Sequence, residues 1–87
     1  MTLKETIHAG FDNIAAEIYQ LIRCRVYWIK LFEQRGSRKK LITVKVIGER
    51  RDFDYRAIKE FITESLFREA QERLAHARKT RPALTTP

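Results

Sequence analysis

The sequence predicts a small α+β domain in the order helix, β-hairpin, helix, followed by a flexible basic C-terminal tail. Three observations carry this: an apolar stripe spaced by three and four over residues 3–21, two β-prone runs flanking Gly36-Ser37, and a second apolar stripe after Asp54. The compact domain is placed at 1–77 and the tail at 78–87. With 87 residues, folding hides only about two-thirds of the unfolded chain's surface. Hydrophobic residues make up 44% of the chain, enough for a core. A core this small gains from added surface, so a homodimer or a hetero-partner protein is expected.

The first helix is expected from Thr2, which with Glu5 three residues on makes a capping box. Leu3, Ile7, Phe11, Ile14, Ile18 and Leu21 form its stripe. From Arg23 the run "RCRVYWIKLFE" turns β-branched and aromatic, and beyond Gly36 comes "LITVKVIG", in which Ile42, Val44 and Val46 alternate with polar residues. These are the two hairpin strands, with Val26, Trp28, Ile42, Val44 and Val46 on the core face. A mainly helical alternative exists, one long helix over 2–34, because Ile7, Ile14, Leu21 and Trp28 recur at intervals of seven. Val26-Tyr27-Trp28-Ile29 is poor helix material, which favours the strand. Asp54 then caps the second helix, Phe53 staples onto Ile58, and the stripe continues to residue 77. The last ten residues, "RKTRPALTTP", hold two prolines and three bases, the composition of a tail.

Catalysis is not expected. No serine occupies a nucleophile-elbow context, "RGSRKK" lacks the spacing of a phosphate loop, and the single Cys24 supports neither a disulfide framework nor a cysteine zinc site. His8 and His76 are 68 positions apart. The carboxylates Glu49, Asp52 and Asp54 are explained by capping at a helix start. No cofactor, metal or small-molecule substrate is expected. The start lacks a secretory profile and no apolar run reaches the about 18 residues of a membrane span, so a cytoplasmic protein without membrane attachment is expected.

Charge points to nucleic acid. The net charge is +7, and residues 23–51 carry ten bases against two acids, Glu33 and Glu49. Such a sided field suits an anionic partner, DNA or RNA. The hairpin tip offers Arg35, Arg38, Lys39 and Lys40 to phosphates. Arg23, Arg25 and Lys45 share a sheet face with Tyr27, a base-and-aromatic mixture suited to single strands. Arg78, Lys79 and Arg81 form a basic arm. Ile29, Leu31, Leu41 and Ile47 also fall on that outer face and need a cover, which makes them candidate partner-binding residues. The expected function is therefore a small, non-enzymatic, dimeric nucleic-acid-binding protein. The alternative is a small protein-binding modulator or inhibitor that docks through the apolar hairpin face.

Overall fold

The computed structural model describes residues 1–85, with side chains described through Arg78. Four antiparallel strands run in chain order, β1 (Thr2–His8), β2 (Ile14–Gln20), β3 (Val26–Arg35) and β4 (Arg38–Gly48). A helical segment follows: α1 (Tyr55–Phe61), a π-helical turn (Ile62–Leu66) and α2 (Phe67–Thr85). The class is α+β, but the order is a four-stranded meander and then a helix. The helix–hairpin–helix order expected from the sequence is overturned, and so is the long N-terminal helix.

Residues 2–21 are where the correction falls. A spacing of four, as from Ile14 to Ile18, is close to one helical turn but also two strand repeats, so it cannot separate the two. The decision lies in Gly10, Asp12 and Asn13, whose φ angles of 86°, 52° and 58° reverse the chain in the left-handed region. Ala9 N–H donates to Ile14 O at 2.9 Å and closes that turn. Glu5 does not cap a helix: its carboxylate accepts from the Tyr55 hydroxyl at 3.0 Å and from Lys59 at 3.3 Å. The β3–β4 hairpin and the Asp54 cap stand where the sequence puts them. Gly36 turns the chain at φ 60°, and the Asp54 side chain accepts from Ala57 N–H at 3.0 Å. α2 crosses the expected 77/78 boundary, while the side chains of Lys79 and Arg81 lie outside the described residues.

The helix covers one sheet face. Ile14, Ala16 and Ile18 of β2 and Tyr27, Ile29 and Leu31 of β3 pack with Ile58, Ile62, Leu66, Phe67, Ala70 and Leu74. Residues 58, 62, 66, 70 and 74 step by four, which on a regular helix drifts about 40° per step and about 160° over the set. The π turn, with Phe67 N–H bonded to Ile62 O, absorbs much of that drift and keeps the stripe on the sheet.

The face assignment in the hairpin is also corrected. Leu31 pairs with Thr43 but Phe32 with Leu41, so Ile42 is an extra residue in a bulge. The bulge breaks the alternation: Ile42 packs on the core, whereas Val44 and Val46 turn to the opposite face with Trp28. Ile29, Leu31 and Ile47, expected to need a foreign cover, lie beneath the chain's own helix.

Tyr27 and Tyr55 stack at 5.1 Å between sheet and helix, their hydroxyls donating to Glu49 and Glu5. Burial first, and then these carboxylates, push both phenols up to about 12 from 10.0. The unfolded phenols lose their protons first as pH rises. Their stabilisation is therefore complete below about pH 10 and is lost as pH rises towards about 12. Chemical unfolding across that window is expected to show falling stability, with a smaller fall in Tyr27→Phe.

Candidate nucleic-acid interface

Strand pairing fixes what the helix-free face displays. Tyr19, Trp28 and Val46 form one cross-strand row, Glu17, Lys30 and Val44 the next, and Ala15, Phe32 and Leu41 a third. Lys39 opposes Gln34 on the same side because the Ile42 bulge resets the alternation. The helix packs on the other face, and on this one Ala15 and Phe32 are nonetheless buried. Leu41 and Val46 are more than half exposed.

Two ammonium groups lie on rings of this face. Lys30 Nζ sits 4.8 Å from the centre of the Tyr19 ring, and Lys39 Nζ 4.8 Å from that of Phe32. Lys39 also reaches Glu17 at 2.8 Å, and the Tyr19 hydroxyl donates to the same carboxyl at 3.0 Å. The Lys39 hydrogen bond is the main cause that holds Glu17 below the usual carboxylate range, against its partial burial. Lys39 is raised in turn, chiefly by the same bond. Among the described residues no ring or ammonium lies over Trp28, which is half-buried.

The acids are segregated. Of the 11 Asp and Glu residues, strand pairing puts only Glu17 on the helix-free face. Glu5 and Glu33 bond to helix residues, while Glu60, Glu64, Glu69 and Glu72 ride on the helix itself. Asp12, Glu49, Asp52 and Asp54 occupy connections.

The sequence-predicted cations divide into three groups. Arg35, Arg38, Lys39 and Lys40 flank the Gly36 turn, where Arg78 joins them by bonding to Glu33 at 2.9 Å, beside the Arg35–Glu33 pair at 3.2 Å. Arg23 and Arg25 are exposed at the other end of the strands, Arg25 lying 4.0 Å from Glu49. Lys45 faces the helix and pairs with Glu69 at 3.2 Å. Tyr27 is buried on that side and presents no ring for stacking. Ile29 and Leu31 are buried, Ile47 is half-buried against the core, and Leu41 alone of the four aliphatics is exposed.

The sequence placed Trp28 on the core face and offered none of Tyr19, Trp28, Lys30 and Phe32 as a contact residue. Their signal is the period of two in Ala15, Glu17 and Tyr19, matched across the turn by Trp28, Lys30 and Phe32. Among the described residues no three His, Cys, Asp or Glu side chains are grouped to hold a metal ion, and no helix is long and apolar enough to cross a membrane. Compared with protein families, curated proteins and solved structures, the chain has no match.

Proposed function

We propose that this chain is a small, non-enzymatic nucleic-acid-binding protein that contacts phosphates with the hairpin tip and the helix-free sheet face. The segregation of acids carries the reading: ten of the 11 acidic groups lie off that face. By strand pairing the cations of that face are Lys30 and Lys39, while Arg38 and Lys40, opposite Arg35 and Glu33, reach the tip from the helix side and Arg23 and Arg25 are exposed at the far end of the strands. Less favours the rival, a protein docking onto Ile29, Leu31, Leu41 and Ile47, because Ile29 and Leu31 are buried beneath the helix and only Leu41 of the four is exposed.

About four phosphate contacts give a slope of log affinity against log salt near −3 for single strands. Titration of labelled single-stranded DNA, duplex DNA and structured RNA at two salt concentrations tests this. Salt-sensitive binding supports the reading, and no binding at low salt removes it. Replacing the lone acid, Glu17→Gln, is expected to tighten binding by about three- to tenfold, since it deletes a repulsive charge and frees Lys39. Unchanged or weaker binding in that variant counts against the face as the contact surface.

A further inference from the structure

We infer that the helix-free face selects single-stranded over duplex nucleic acid by stacking an unpaired base on Trp28. The inference rests on the nucleic-acid reading above and adds the form of the ligand and the residue that recognises it. Trp28 stands mid-sheet, opposite Tyr19 on β2 and Val46 on β4. Tyr19 and Phe32 already hold an ammonium against the ring, whereas Trp28 does not. Lys30 follows two residues along the same strand, about 7 Å away. It can therefore meet the phosphate of a nucleotide whose base lies on the indole.

The ligand's form follows from the shape of the face. Three strand spacings make the sheet about 14 Å across before side chains are added. A duplex major groove is about 12 Å wide and takes one helix or a two-stranded ribbon. A duplex therefore meets only the hairpin tip, and its bases are stacked on one another, out of reach of Trp28. A single strand can lie along the face with its bases turned down. Charge supplies the backbone contact, and the ring supplies a contact that every base can make. A protein partner on the same face would need groups to meet Lys30 and an already paired Lys39. The polyanion needs only the charge that is there.

Trp28 is the only tryptophan, so its fluorescence reports directly on the site. The full chain is titrated at low salt with oligothymidylate, oligouridylate and a duplex, each on the order of 15 nucleotides long, within the site sizes of single-domain binders. Affinities are measured for wild type, Trp28→Ala and Trp28→Phe. Single strands are expected to quench Trp28, and Trp28→Ala to weaken their binding by about 5- to 150-fold, the range for losing one stacked base. Duplex binding should be weaker and unaffected, with Trp28→Phe recovering part of the loss. The two homopolymers distinguish DNA from RNA as the source of the strand.

Single-strand binding without quenching, and unchanged in Trp28→Ala, overturns the stacking and leaves the nucleic-acid function standing. Absence of binding to every polymer overturns both. A fluorescence change that follows protein concentration alone assigns the face to a second copy and overturns the inference. Should Trp28→Ala fail to fold, the wild-type quenching and the Trp28→Phe affinity still decide.

Discussion

Ile29→Ala is expected to lower the unfolding free energy by about 2–5 kcal/mol, the range for truncating an enclosed aliphatic to alanine. Ile29 is fully buried, paired to Ile18 on one side and to Lys45 on the other, with the helix above. Domains of this kind have about 5–15 kcal/mol in total, so the loss leaves a marginal fold. Val46→Ala, at a position 58% exposed on the opposite face, is expected to change stability by less than about 0.5 kcal/mol. Urea unfolding of the two variants checks both values. A large loss for Val46 and a small one for Ile29 would reverse the two sheet faces and with them the functional account.

The second large effect is on binding. The triple variant Arg38→Ala, Lys39→Ala, Lys40→Ala is expected to weaken single-strand binding by about ten- to a hundredfold at low salt and to reduce the salt slope by about 2. Its stability should change little, since exposed ion pairs such as Lys39–Glu17 contribute at most about 1 kcal/mol. Part of the effect is indirect. Without Lys39, the Glu17 carboxylate stands unneutralised on the contact face and repels phosphates. Adding Glu17→Gln to the triple variant should therefore restore some affinity. Binding by the triple variant equal to wild type would remove the tip from the interface.

How far the sequence foretold this arrangement depends on how local each signal was. The Gly36 turn, the β character of Val26-Tyr27-Trp28-Ile29 and the Asp54 cap are set by residues near in sequence, and they appear where expected. The N-terminal half was misread because the spacing of four within β2, from Ile14 to Ile18, is shared by strand and helix, and the spacings of three from Phe11 to Ile14 and Ile18 to Leu21 cross into the connections. The left-handed backbone at Asp12 and Asn13, which separates them, accompanies a polar pair that a helix surface also tolerates. The sheet faces were exchanged for a different reason. Lys45 and Tyr27 looked solvent-facing by polarity, but Glu69 from α2 and Glu49 from the β4–α1 connection satisfy them on the covered side. The bulge at Ile42 then shifted the alternation by one residue, so that Ile42 packs inward while Val44 and Val46 face out. As a result the tip cations were legible, whereas the face beside them, with Tyr19, Trp28 and Lys30, emerged only when β2 was placed next to β3.

The proposed contact surface is the helix-free sheet face together with the hairpin tip. Mapping the backbone amide NMR shifts of the labelled protein during titration with single-stranded oligothymidylate tests it most directly. Perturbations are expected to concentrate at Glu17, Tyr19, Trp28, Lys30 and residues 38–40, with Arg68 and Arg73 on α2 unmoved. Perturbations centred on the exposed side of α2, or none at a concentration where binding is measured by other means, would contradict it.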